Sequence, residues 1–451
     1  MIQNERIKVM NEKPVATKKY VLYWMQQAQR SEYNHALEYA INQANELDLP
    51  VIVYFGITDS FPDANERHYH FMLQGLQQTK QALAKRGIQM VIQHCTPETG
   101  VLELTKNASL LVTDRGYLKL QRRWRSHVVK NAPCRVVQVE SDVVVPVETT
   151  SSREEYAAVT IRRKIQKHLD AFLIPLRKRR LKKSSLCLKF KQFPIDRIDR
   201  AIARLEIDRS VAKSNRFIGG TDNAKRLLRD FVRHKLDHFI DQRNDPSKDM
   251  LSLMSPYLHF GQISPLYIAL QIQRTESPGK NAFLEELIVR RELSMNFVYY
   301  NPWYDSYKGL PEWTRKTLAQ HRKDNRQYVY DLEQLERAQT HDPYWNAAQK
   351  EMVLWGKMHG YMRMYWGKKI IEWTTDPQQA FRMALYLNNK YELDGRDANG
   401  YTGVAWCFGK HDRPWPERQI FGKVRYMNAD GLKRKFKIDK YVVSILDQEA
   451  T

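Results

Sequence analysis

The sequence predicts an α/β doubly wound parallel sheet at the amino-terminal end, Rossmann-like in plan, followed by an all-α carboxy-terminal region. Three observations predict it. Short β-branched runs alternate with helical patterns from Lys18 to about Glu148, the signature of strand–helix–strand units. From Phe217 onward no strand pattern exceeds a few residues, and Asp-Pro pairs mark helix starts. At 451 residues the chain is long enough for two or three domains.

VLYW (21–24), VIVYFGI (51–57), MVIQ (90–93), LLVTD (110–114) and RVVQVE (135–140) read as strands, with helical segments near 31–47, 65–87 and 117–130 between them. No G-x-G-x-x-G follows the first strand, which argues against a standard dinucleotide site there. Ligands of such sheets sit at the carboxyl ends of the strands, here near Trp24 or Gly56. Residues 149–215 hold IRRKIQKHL, the basic run RKRRLKK (177–183) and then little apolar periodicity. They read as a long, partly helical connector whose charge run is a solvated arm or a nucleic-acid contact. The expected domains are therefore 18–148, 149–215 and 216–446. In the last, Asp222 is placed to cap a helix running to about Phe239. Asp342-Pro343 and Asp376-Pro377 start helices at 343–354 and 377–389, a cap residue followed by a first-turn proline.

Lys plus Arg total 73 against 51 Asp plus Glu, a net charge of +22. A surplus this large implies a polyanionic partner, most simply nucleic acid. The 4 cysteines are scattered, with no C-x-x-C pair, and read as reduced thiols of an intracellular protein. No run of about 18 apolar residues predicts a membrane span, and residues 1–17 lack a secretory apolar stretch. The expectation is a monomer without membrane contact, cytoplasmic, or nuclear in a eukaryotic host. The 10 Trp and 24 Tyr suit stacking on bases or on a flat cofactor.

Several stretches ask for chemistry. Ser252 and Ser255, in LSLMS (251–255), stand at the head of a helix, where free amides and hydroxyls can hold phosphate. FLEELIVRREL (283–293) reads as a helix with surface i,i+4 ion pairs. GKMHGYMRMYWGKKIIEW (356–373) mixes tryptophans, tyrosines, methionines, a histidine and an arginine, whereas a plain core helix uses Leu, Ile and Val. Met362, Trp366, Ile370 and Trp373 recur at near-heptad spacing, with the two tryptophans about 10 Å apart along the axis. By spacing alone that is a core stripe.

RNDPSKDMLSLMSPYLHFGQIS, FLEELIVRREL, HDPYWNA, GKMHGYMRMYW, LNNKYELDGRD and GKVRYM together resemble class II cyclobutane-pyrimidine-dimer DNA photolyases. The likeness runs from about Tyr20 to Lys435, with the motifs in family order, and VLYWMQQAQRSEYNHAL matches the family's first strand and helix. It implies an α/β antenna domain, an all-helical domain holding FAD, and light-driven repair of pyrimidine dimers in DNA. On this likeness Leu251, Ser252, Leu253, Met254 and Ser255 wrap the FAD diphosphate, and Phe239 stands where the family often has Tyr. Arg363 and Asp394 form an ion pair beside the isoalloxazine, favouring its reduced, anionic form. Asn388 faces flavin N5, where an amide can donate or accept, and Asp397 completes the polar wall.

The same likeness places Glu286 against the dimer, with burial expected to raise its pKa. Met364 and Trp406 form the apolar floor and wall. Arg243 and Arg290 stand at the mouth, Arg290 where some members carry Trp; Met295 replaces a common Asp. Trp415 and Arg425 fill or brace the gap left by the flipped lesion. Trp345, Trp366 and Trp373 match the family's electron-transfer tryptophans, leading from the surface to the flavin. A second, antenna chromophore is implied without a motif to identify it. The alternatives are a cryptochrome-like FAD photoreceptor, which predicts a long carboxy-terminal tail where this chain stops at Thr451, and a non-catalytic DNA-binding module, which leaves Asn388, Arg363 and Asp394 without a role.

Overall fold

The computed structural model describes residues 2–449. Six strands, β1 (Ile7–Val9), β2 (Tyr20–Trp24), β3 (Val51–Ile57), β4 (Gln89–His94), β5 (Ala108–Asp114) and β6 (Arg135–Val139), form one sheet in the order β1-β6-β5-β2-β3-β4. All neighbours are parallel except β1 and β6. β2, β3 and β5 are buried at every residue, as expected of a parallel sheet covered on both faces. That continuous burial is why their β-branched runs were legible. β1 is an addition: it lies in the polar leading stretch and is largely exposed, so no pattern announces it.

Helices α1 (His35–Glu46), α2 (Glu66–Ala84), α3 (Pro97–Thr105) and α4 (Lys119–Asn131) make the crossovers. α3 is a second addition, a short helix opened by a first-turn proline. In the connector, α5 (Ala158–Phe172) is followed by a strap rather than a free arm. Arg179 N donates to Glu38 Oε2 at 2.7 Å and Lys182 N to Asn45 Oδ1 at 2.9 Å, both acceptors on α1. Ile195, Ile202, Leu205 and Ile207 sink into the core over the sheet. The strap is mostly coil, so its buried residues have no period to read.

The remainder is helical. Its principal elements are α6 (Thr221–His234), α7 (Arg291–Tyr300), α8 (Pro343–Trp355), α9 (Gly360–Trp373), α10 (Pro377–Tyr391) and α11 (Ala398–Cys407). α6 stops at His234, short of Phe239, and Gly220 rather than Asp222 holds the N-cap position. Asp342 and Asp376 cap α8 and α10 as expected, each accepting from two backbone amides.

FLEELIVRREL passes through a π-turn, Glu285–Arg290, before α7, and this overturns the i,i+4 reading. Arg290 Nε lies 3.5 Å from Glu285, five residues back, while Glu285 pairs at 2.7 Å with Arg162 of α5. Such bulges recur at functional sites. The sheet and the helices meet at the head of α2, where Arg67 Nη1 donates to Met352 O and Tyr391 O at 3.1 and 3.0 Å. Among the described residues, no helix is long and apolar enough to cross a membrane.

Candidate active site

α9 and the turn after α10 bring opposite charges together in a buried place. Arg363 Nη2 stands 3.0 Å from Asp394 Oδ1 and 2.7 Å from Glu392 Oε2, and Lys357 Nζ is 2.9 Å from Asp394 Oδ2. Burial pushes the Asp394 carboxyl up, but Arg363, Lys357 and the Ser255 hydroxyl outweigh it and hold Asp394 well below the usual carboxylate range. Burial wins at Glu392 and pushes it up to about 8 despite Arg363. The charge on Arg363 is therefore balanced chiefly by Asp394, as expected for that pair.

Asn388 is buried near the end of α10, its Nδ2 donating to Asn389 Oδ1 at 3.2 Å. Gly400 leaves it room: a Cβ there would come within 3.2 Å of Asn388 Nδ2 and 3.3 Å of Asp394 O. Asp397 is buried as well. Burial raises its carboxyl, but His259, Arg291 and Asn399 together bring it below the ordinary value.

The 251–255 segment is coil up to Ser255, where a short helix, Ser255–His259, begins. Leu253 sits at φ +57, a strained conformation for a branched residue. A cavity of about 540 Å³ borders this loop, lined among others by Leu251, Leu253, Arg216, Lys248, Lys357 and His359. His359 Nδ1 accepts from Tyr361 N at 3.2 Å, so its Nε2 bears the hydrogen, and that buried donor has no partner. Arg363 Nε is buried and unpartnered too. Arg216, Lys248, Lys357 and the idle His359 donor, which share the lining with Asp249 and Glu351, fit an elongated ligand with anionic groups. Two expectations change here: the Ser255 hydroxyl engages Asp394, so it is not a free donor to a ligand, and Met254 is buried in the core rather than lining the cavity. Phe239 packs edge-on against Phe231 and Phe283, at 5.7 and 5.4 Å.

A second wall carries the substrate candidates. Glu286 pairs with Arg243 at 2.7 Å and keeps 42% side-chain exposure, so the expected burial is absent; the π-turn turns it outward to Arg243. Arg243 also covers Phe239, 5.3 Å from its centroid. Met364 is 40% exposed although its neighbours Met362, Tyr365 and Trp366 on α9 are buried. The Arg290 guanidinium lies 5.4 Å over Trp406, a flat cation covering the indole. α9 and α11 approach closely because position 367 is glycine; a Cβ would meet Cys407 Sγ at 2.6 Å. Trp415 is 37% exposed, with Arg425 5.0 Å from its ring. Met295 is 1% exposed in the helical core, where its side chain packs without a polar atom to satisfy.

The three tryptophans form one array, though not in chain order. Trp345 of α8 stacks on Trp366 at 6.3 Å with an interplanar angle of 7°, and meets Trp373 edge-on at 5.6 Å. Trp345 therefore stands between the two on α9. All three are at most 2% exposed, so none reaches the surface, against expectation. Trp373 instead contacts Tyr330 and His341, each at 5.3 Å, and His341 stacks on the half-exposed Tyr328.

The DNA photolyase family model matches residues 21–182. The chain is 55% identical to the deoxyribodipyrimidine photo-lyase of Methanothermobacter thermautotrophicus, over 98% of both chains. It is 44% identical to that of Arabidopsis thaliana, over 94% of this chain and 88% of the relative. The chain belongs to the DNA photolyase family. The fold agrees: a class III photolyase from Agrobacterium tumefaciens superposes with a TM-score of 0.75 at 17% identity, covering 96% of this chain and 87% of that one. A Synechocystis cryptochrome gives 0.73 at 15%, covering 96% and 89%.

Within this photolyase fold, several residues of the site escaped the sequence. Glu392 had only its nearness in sequence to Asp394 as a signal, since it leaves α10 straight into the turn at 393–396. Lys357 had none, because its partner is set by how the link between α8 and α9 packs on the turn after α10, nor had Gln349 of α8, whose Oε1 accepts from Trp366 Nε1 at 2.8 Å.

Proposed function

We propose that this chain is a class II photolyase that uses light to split cyclobutane pyrimidine dimers in DNA, with FAD held by Arg363, Asp394, Asn388 and Lys357 together with the loop at 251–253, Arg216 and Lys248. α9 carries the reading. Over four residues it presents Arg363 to a buried ion pair, Met364 to an open apolar surface and Trp366 to a buried aromatic array. Bound there, reduced FAD would absorb light and supply the electron that opens the dimer. The chain's residues provide the setting. Arg363, compensated by Asp394, favours negative charge at the flavin ring in a dry place. The Asn388 amide can face a ring nitrogen in either protonation state.

On the substrate side, Met364 and Trp406 offer the apolar walls on which a flipped dimer packs, with Arg290 above the indole. Glu286 passes from Arg243 to the pyrimidine, and Arg243 then meets a phosphate. Trp415 and Arg425 occupy the gap in the duplex, an apolar wedge with a cation beside it. Extrusion costs least for a lesion that already pairs poorly, so damage is selected without reading sequence. The mostly apolar cavity lined by Trp24, Phe55, Gly56, Trp124, Phe260 and Arg396 among others supports a second chromophore near the carboxyl ends of the strands.

Equilibrium binding to duplexes with and without a thymine dimer, titrated with salt, tests the substrate assignment. Affinity should fall linearly on logarithmic axes, with a slope of about −0.9 per phosphate contacted. Trp406→Ala should weaken dimer binding by about 1–3 kcal/mol, the value of one stacked base, and leave that slope unchanged. A flat salt response, or equal losses on damaged and undamaged DNA, contradicts it.

A further inference from the structure

We infer that Gln349 holds the indole proton on Trp366 while that ring is oxidised, so that the electron vacancy moves on to Trp345 as a cation instead of stopping as a neutral radical. The inference rests on the electron path proposed above.

Trp366 Nε1 donates to Gln349 Oε1 at 2.8 Å, between residues that are 2% and 0% exposed. Gln349 Nε2 donates onward to Glu336 O at 3.3 Å. An indole offers only a hydrogen, so the amide must present its oxygen, and the second bond keeps it from turning. Trp345 is wired alike, its Nε1 donating to Trp366 O at 3.0 Å. Both acceptors are amide carbonyls. They take a hydrogen bond, but their basicity is far too low to take the proton.

The electron count is simple. With oxidised FAD bound and excited, Trp366 would give up one electron, and its N–H would become a strong acid in the radical cation. Gln349 cannot remove that proton, so no bond to hydrogen breaks. Trp345, stacked at 6.3 Å, gives one electron to Trp366 and inherits the charge, its own proton retained by the Trp366 carbonyl. The return of Trp366 to a neutral, closed-shell indole then needs no proton to come back. An amide present only to satisfy a buried donor would be replaceable by any isosteric acceptor, and that distinguishes the two roles.

Gln349→Glu is the isosteric test, made on FAD-loaded protein by time-resolved absorption of the tryptophan radicals. A carboxyl in this dry position has its pKa raised by desolvation, so at low pH it stays protonated and mimics the amide. As pH rises it ionises and accepts the indole proton. The neutral-radical spectrum should then appear at Trp366 and the yield of flavin photoreduction should fall about tenfold or more, since one unit of proton affinity already shifts the trapped fraction that far. Unmodified protein should show only the cation at the Trp366 and Trp345 stages, at the same rate in H2O and D2O. A Gln349→Glu variant with unaltered yield and cation spectrum at every pH overturns the inference. A solvent isotope effect on the first transfers in unmodified protein overturns it equally, whether or not the variant retains FAD. If unmodified protein gives no tryptophan radical at all, the electron path itself is wrong, a failure distinct from the others.

Discussion

Replacing Trp366 with phenylalanine should abolish photoreduction of the oxidised cofactor while leaving dimer repair by chemically reduced enzyme near its normal rate. Trp366 lies on the same turn of α9 as Arg363, and its ring is stacked 6.3 Å from Trp345. The other two tryptophans line up behind it, so it is the ring through which any electron from Trp345 must pass. A phenyl ring fills most of the space but is far harder to oxidise, and nothing else in the array bypasses it. The substitution leaves the Gln349 oxygen without its donor, a local cost of about 1–3 kcal/mol, which the fold tolerates. The comparison to make is light-driven reduction against repair after dithionite treatment, on the same preparation. Equal loss of both would show that Trp366 is a packing residue.

Arg363→Met should empty the cofactor site. Arg363 and Lys357 are the two cations on Asp394, and removing the partner of a buried charge costs about 3–5 kcal/mol. Asp394, left with Lys357 as its remaining cation, would then also repel a negatively charged flavin. Asp394→Asn in the same chain removes the stranded charge, so the double variant should regain much of the thermal stability and still bind little FAD. The coupling between the two changes, read from unfolding and from the FAD-to-protein ratio, separates fold from ligand. Full FAD content in Arg363→Met would contradict the placement of the flavin.

The parts legible in the sequence were those whose cause is local. β2, β3 and β5 announce themselves because both faces are buried, and α8 and α10 because Asp342 and Asp376 cap helices within their own first turns. The ion pair of Arg363 with Asp394 and the tryptophan array came through family likeness; the packing joins both sets of residues but keeps all three tryptophans off the surface. What escaped depends on distant geometry. The bond from Trp366 to Gln349 spans two helices and leaves no spacing signal. Glu286 was expected to be buried, but a π-turn, which side-chain periodicity does not encode, directs it to Arg243 and solvent. The basic run 177–183 read as a solvated arm because the buried isoleucines that follow it lie in coil or in one short helix, Ile198–Ile202, too brief to show a period.

The central claim is that a light-absorbing flavin and an extruded lesion share the hollow formed around α9. Its most direct test is repair of an oligonucleotide carrying one thymine dimer by anaerobically reduced, FAD-loaded protein, under blue light and in darkness. The account predicts conversion of the dimer to two thymines in the light and none in the dark. Conversion that proceeds equally in darkness, or none in the light by protein that holds its FAD and binds the lesion, would contradict it.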